Sequence, residues 1–455
     1  MKTSYKKFLL PALFGFLIVS FYILVIPGSI KSDASEYDKL ANSILVGQFS
    51  IDGVPSMQRE PGYPFFRAEI KSFTSNPEVI RWIQALLYAL IIFIVGMAGS
   101  KIDFRLGSWS AWGAALSYGL AFYPATHLSE ILTAFLLALT GLALLYGIEK
   151  PSFKNWIITS VLSSLLILTR YTYVLLPLAG IVILVYVSKK NKIETKKIIR
   201  NVLVSIIIVF SFVTPWIVRN YRTFNEVNVA GRSGAILYAR AWRANKPWRT
   251  IPDSYLSVLL GRGLLFTVYP NNQSIWLEQW GDWWRNKEIV KQMWGTNPIE
   301  IDQKRKAEAF NLIFKNWQNM AKFAVWTGVD ELRLLELPNP LPQALGSPFE
   351  GTYGPLAKEG QIPPIALLGL GLVHLTQLLW FVAIGLSTFI GFKKYGLKFV
   401  PGILLSCLLL PHAIADNIAR YSAPLQPWLL SAIFMTIFFP IYERYKIKMK
   451  WKTNL

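Results

Sequence analysis

The sequence predicts an all-α protein that crosses a membrane many times. Three observations predict it. The 455 residues are 53% hydrophobic and only 16% charged, where a soluble chain carries roughly 25% charged residues. Apolar runs of about 17–25 residues, the length a helix needs to span a bilayer, recur along the chain. Lysine and arginine collect in the short segments between alternate runs, as the positive-inside rule requires.

Ten runs read as spans: 8–27, 79–98, 106–124, 129–148, 155–170, 172–188, 201–218, 364–391, 397–414 and 422–441. The fifth and sixth are separated only by Arg170 and Tyr171 and could form one bent pair or be partly re-entrant. Ten spans place both termini on one side. With the termini inside, the internal segments hold twenty-one basic residues against four acidic ones, whereas the first external loop, 28–78, holds five basic and seven acidic. The expectation is a multi-pass protein of the cell (inner or plasma) membrane with both termini cytoplasmic. No small-residue cleavage site follows the first run, so it reads as a retained helix.

The formal charge of +21 is explained by this topology signal and implies no nucleic-acid partner. Residues 189–200, the densest basic segment, could touch anionic lipid headgroups. The single cysteine, Cys407, excludes an intrachain disulfide, and His127, His374 and His412 include no i, i+4 pair, so no metal is expected.

Three regions follow: a transmembrane module over 1–222, an external tryptophan-rich segment over 223–363, and C-terminal helices over 364–455. In the middle region Trp276, Trp280 and Trp284 would share one helical face, with Trp283 and Trp294 nearby. Such a face suits a helix lying in the headgroup layer, or a platform on which sugars stack.

The chemistry-bearing residues gather at the external ends of the spans. Asp33, Glu36 and Tyr37 stand at i, i+3 and i+4, on one face of an amphipathic helix over 33–47. Asp33 could equally be that helix's N-terminal cap. The sequence Arg59-Glu60-Pro61-Gly62-Tyr63-Pro64 reads as a rigid turn holding Arg59 and Tyr63 near the surface, followed by a second amphipathic stretch over 64–75. His127, Ser129 and Glu130 open the fourth span. An acid there complements the helix dipole, or faces the cavity that Asp33 faces. Arg170, Arg219 and Arg420, the last beside Tyr421, lie at external span ends, whereas the internal segments favour lysine eighteen to three. Each arginine could snorkel to headgroups, but the preference for guanidinium suits forked contacts to phosphate. Carboxylates that activate a hydroxyl, beside arginines that hold a phosphate, suit transfer of a sugar from a lipid phosphate.

These motifs resemble a known family. Asp33-Ala34-Ser35-Glu36-Tyr37-x-x-Leu40-Ala41, Gly47 and Arg59-Glu60-Pro61-Gly62-Tyr63-Pro64 are similar to the first-loop signature of GT-C membrane glycosyltransferases. The branch is that of protein O-mannosyltransferases and aminoarabinose transferases of lipid A, glycosyltransferase family 39 and relatives. Ser129-Glu130, Pro215-Trp216-x-x-Arg219-Asn220-Tyr221 and Arg420-Tyr421-x-x-Pro424-x-x-Pro427 carry the likeness further. The resemblance implies a GT-C fold and inverting transfer from a polyprenyl-phosphate sugar to a lipid, glycan or protein hydroxyl at the external face, with no cofactor required. By position it implies Asp33 as the catalytic acid–base group, with Glu36 and Glu130 shaping the sugar pocket. Tyr37, Arg59, Tyr63, His127, Arg170, Arg219, Arg420 and Tyr421 are then substrate contacts. One departure is that protein mannosyltransferases carry adjacent Asp-Glu where this chain separates Asp33 from Glu36. The alternative is a transporter or flippase of a lipid-linked saccharide, which would show polar residues at mid-membrane and broken, paired helices.

Overall fold

The computed structural model describes residues 5–28, 30, 33–231, 233–248, 251–252, 255, 297–335, 364–412 and 419–453. The expected all-α, multi-pass class is borne out. Seven described helices are long and apolar enough to cross a membrane, and two shorter apolar helices accompany them. The only sheet among the described residues is a two-stranded hairpin. The chain divides into two compact units, one of residues 1–230, 383–411 and 423–455, the other of residues 231–382 and 412–422.

The first unit opens with α1 (Lys6–Val25), α2 (Asp33–Leu45), the hairpin β1 (Ser50–Ile51) and β2 (Val54–Pro55), and α3 (Gly62–Phe73). It continues through α4 (Glu78–Ile102), α5 (Gly107–Ala115), α6 (Tyr118–Ala121), α7 (Glu130–Glu149), α8 (Phe153–Thr169), α9 (Leu176–Lys190) and α10 (Thr195–Phe224). The amphipathic stretches expected over 33–47 and 64–75 are α2 and α3. The hairpin turns at Asp52 and Gly53, both at positive φ (53° and 80°), the geometry an Asp-Gly pair supplies.

One expected span is divided. Residues 106–124 form α5, the four-residue α6 and a short 3-10 turn at Tyr123–Ala125. The reason lies in packing. A Cβ at Gly96 would meet Ala111 and Phe8, and one at Gly99 would meet Ser110. Small residues thus let α4 and α5 approach closely, as in other membrane helix pairs. A Cβ at Gly113 would in turn meet the backbone of Leu430 and Ser431. After α5, Ser117 leaves helical geometry (ψ 68°), and Tyr88 Oη bonds to the Ser117 hydroxyl and carbonyl at 3.1 and 3.2 Å, which satisfies the polar groups freed at the break. The spans expected over 155–170 and 397–414 correspond to the shorter helices Phe153–Thr169 and Val400–Pro411.

α10 runs 30 residues, about 45 Å at 1.5 Å per residue. It ends at Asn225 in the left-handed conformation, a common helix stop.

In the second unit, α11 (Ser233–Ala244), α12 (Pro298–Phe314) and α13 (Trp317–Leu334) are described. Asp302 accepts from the backbone nitrogens of Gly234 and Ala235 at 2.9 and 2.8 Å, capping α11 from a neighbouring helix. Tyr238, Ala241, Ala309 and Ile313 form one buried cluster, and Ala244, Ile251 and Trp326 another. The tryptophan face at Trp276, Trp280, Trp283, Trp284 and Trp294 lies outside the described residues.

Gly99→Leu is expected to lower the stability of the detergent-purified protein by about 1–3 kcal/mol, the usual penalty for overpacking. Gly385→Leu, where a Cβ meets nothing within 4 Å, serves as the neutral control. Equal melting temperatures for the two variants would refute the close-packing account.

Candidate active site

α2 and the turn before α3 meet at a charged knot. Arg59 Nη2 donates to Asp33 Oδ1, and Arg59 Nε donates to Glu36 Oε2 at 2.7 Å. The guanidinium also lies 5.0 Å from the centre of the Tyr37 ring. The face formed by residues 33, 36 and 37 is therefore real, and one arginine reads all three side chains. Arg59 is buried, whereas the Asp33 and Glu36 side chains remain 29% and 32% exposed. Burial alone would make the guanidinium easier to deprotonate. Its neighbours Tyr37, Asp33 and Glu36 outweigh that and hold it charged. One guanidinium is thus shared by two part-exposed carboxylates.

From Tyr37 a ring of contacts ties four segments together. Tyr37 Oη lies 3.4 Å from Ser129 Oγ, beside Glu130. The Tyr37 ring meets Tyr63 of α3 edge-on, centroids 4.9 Å apart. Tyr63 Oη donates to Gln84 Oε1 of α4 at 3.3 Å, and Gln84 Nε2 donates to the Thr126 carbonyl at 2.7 Å. Thr126 and Ser129 belong to the same short connection into α7, so the ring closes. Full burial pushes the Tyr63 hydroxyl well above its usual range, keeping it a neutral hydrogen-bond donor.

Glu130 is fully buried at the first position of α7. Arg170, at the C-terminal end of α8, reaches it at 3.3 Å from Nη1. The adjacent Tyr171 donates its backbone N–H to Glu60 at 3.1 Å, so the Arg59–Pro64 turn docks onto the same helix end. Gly62 is required there. A Cβ would lie 2.9 Å from both the Leu168 carbonyl oxygen and the Thr169 Cα.

Arg219 differs from both. Its Nη1 donates to the Ser56 carbonyl at 2.7 Å and its Nη2 to the Phe49 carbonyl at 2.9 Å. Phe49, Trp216 and Phe224 surround it at 5.1–5.3 Å. Among the described residues no carboxylate forms an ion pair with it, so its charge is solvated by neutral oxygens but not cancelled. Arg420 and Tyr421 stand on the 3-10 segment Ala419–Leu425 and belong to the second unit.

His127 is placed otherwise than a surface contact would be. It is fully buried, and neither ring nitrogen has a hydrogen-bond partner among the described residues. Burial, then the nearby charges of Arg67 and Arg81, push its pKa down to about 4.

The sequence reading missed four participants. Arg67, fully buried, donates to Asp38, which also accepts from Lys71 at 2.8 Å. Burial alone would raise the Asp38 carboxyl, but the hydrogen bonds and charges of Lys71 and Arg67 prevail and hold it below the usual carboxylate range. Tyr63, Arg67 and Lys71 recur every four residues along one face of α3, a signal legible in advance. The fourth is Gln84, a lone amide inside an apolar run, which marks a specific partner.

Residues 62–216 match the profile of the dolichyl-phosphate-mannose-protein mannosyltransferase family, which bears out the resemblance read from the motifs. No curated protein matches the chain. Two solved structures do: ArnT from Cupriavidus metallidurans in the apo state, at 14% identity, and the same protein bound to undecaprenyl phosphate, at 13%. Each match covers 92% of this chain and 76% of that one, with a TM-score of 0.38.

The buried His127 gives a pH signature. Between about pH 6.5 and pH 4 the unfolded chain binds a proton that the folded protein refuses, so stability falls as pH falls through that window. His127→Leu is expected to flatten this part of the profile, measured as melting temperature from pH 7 to 4.5. A variant slope as steep as the wild-type slope would count against it.

Proposed function

We propose that the protein is an integral membrane glycosyltransferase that moves a sugar from a polyprenyl-phosphate donor to an acceptor hydroxyl at the external face, with inversion at the anomeric carbon. The observation that carries this reading is the Asp33–Arg59–Glu36 knot, whose two carboxylates are part-exposed. The profile match over residues 62–216 supports it, since that family is named for a lipid-phosphate sugar donor.

The acceptor oxygen attacks the anomeric carbon while the bond from that carbon to the phosphate oxygen breaks. The bonding pair leaves with the phosphate, and the hydroxyl proton passes to the Asp33 carboxylate. Arg59 donates to Asp33 and fixes the direction of its lone pairs, which a general base needs before it needs strength. Glu36, held by the same guanidinium, binds a further hydroxyl of the sugar or acceptor. Glu130, neutralised by Arg170, shapes the sugar pocket with Tyr37 and Tyr63.

The leaving phosphate needs a cation whose charge is still available. Arg59 and Arg170 are paired to carboxylates. Among the described residues Arg219 is hydrogen-bonded only to neutral oxygens, so it is assigned to the donor phosphate. No step in this scheme calls for a metal or an organic cofactor.

Asp33→Asn is expected to reduce transfer about 10²–10⁴-fold with expression and membrane insertion unchanged. The assay incubates purified protein with radiolabelled polyprenyl-phosphate sugars and membrane extract. Wild-type turnover in the variant would overturn the assignment. Arg219→Lys is expected to raise KM for the donor at least several-fold, because a lysine cannot hold both carbonyls and the phosphate. An unchanged donor KM would remove Arg219 from the phosphate.

A further inference from the structure

α9 and α10 are joined by the turn 191–194 and pack side by side. Between them lies a groove of about 300 Å³, lined by Val185 and Lys189 of α9 and by Thr195, Ile198, Ile199 and Val202 of α10 with Leu203 beyond. Apart from Lys189 and Thr195 at its mouth, every lining residue is aliphatic. Ile199 and Leu203 are each 54% exposed. The groove thus offers an apolar trough closed at one end by an amine and a hydroxyl.

The charge around that mouth is one-sided. Lys189, Lys190, Lys192, Lys196, Lys197 and Arg200 fall within twelve residues, with Glu194 as the single acid. Glu194 pairs with Lys197 at 3.2 Å, and Arg200 lies over the Phe153 ring. Among the described residues Lys189, Lys190, Lys192 and Lys196 form no ion pair. Both flanking helices are spans, so their shared end sits at the level of lipid headgroups.

We propose that this groove is a binding site for one anionic phospholipid. An acyl chain lies along Val185, Ile198, Val202 and Leu203. Its phosphate meets Lys189 Nζ and the Thr195 hydroxyl, with Lys192 and Lys196 supplying further positive charge. The proposal stands apart from the transfer chemistry, since it uses the opposite end of α10 from Arg219. The lining explains the pairing of features that topology leaves unexplained. A positive-inside signal needs lysines near the turn, but it does not need a trough beneath them.

The test is native mass spectrometry of the full-length protein in detergent, titrated with phosphatidylglycerol or with phosphatidylcholine of the same acyl chains. The wild type is expected to bind its first phosphatidylglycerol at least about five-fold more tightly than phosphatidylcholine, the factor one basic residue supplies at a charged headgroup. Lys189→Gln is expected to bring the two lipids towards parity. Val202→Trp, which fills the trough from a partly buried position, is expected to weaken the first phosphatidylglycerol about as strongly while leaving the lysines in place. No preference in the wild type overturns the proposal. So does a preference that survives both substitutions. A preference lost in Lys189→Gln but untouched in Val202→Trp assigns the effect to surface charge alone and also overturns the groove.

Discussion

A guanidinium withdrawn from water must have its charge met by protein, and Arg59 has it met twice. Asp33 and Glu36 lie one helical turn apart on α2 and would repel each other across that turn. The cation between them turns the repulsion into a fixed geometry. Because Arg59 sits on the turn leading into α3, the same contact fixes how α2 lies against α3. Because Tyr37 packs under the guanidinium and reaches Ser129, it also fixes both against the start of α7. Breaking a buried pair of this kind by removing one partner costs about 3–5 kcal/mol, discounted here because the carboxylates are partly exposed. The knot is therefore a structural joint as well as a chemical group.

Arg59, Arg170 and Arg219 are alike in sequence and unlike in the fold. Arg59 serves two carboxylates, Arg170 serves the buried Glu130, and Arg219 serves two backbone carbonyls. A carboxylate cancels a guanidinium's charge at long range, whereas a carbonyl only solvates it. The first unit thus holds a carboxylate-rich knot on α2 and, on α10, a guanidinium that neutral oxygens meet among the described residues. Arg219 also grips Phe49 and Ser56, in the chain between α2 and Arg59, so one short segment links the two centres.

Around this centre small residues let parts of the helix bundle pack closely. Gly96, Gly99 and Gly113 let α4, α5 and the 426–433 helix approach until side chains meet backbone. Lipid offers the apolar side chains no worse a home than protein does, so contact area alone cannot hold such helices together. Close approach and hydrogen bonds such as Tyr88 to Ser117 do so instead.

The sequence by itself determined the class of the molecule and most of its span boundaries, because bilayer thickness acts on local composition and needs no partner to be read. It also determined that Asp33, Glu36 and Tyr37 share a face, since helical periodicity is a property of neighbours. It placed Glu130 and Arg170 at helix ends without showing that they meet. Pairing across 40 residues depends on how α7 packs on α8, and no local pattern encodes that. The division of 106–124 was hidden for the same reason, since its composition is that of a span and only the close approach to α4 shows where it breaks. The fates of Arg59, Arg219 and His127 were likewise decided by tertiary structure. A side chain's charge is written in the sequence, but whether that charge is cancelled, solvated or buried depends on which distant atoms surround it.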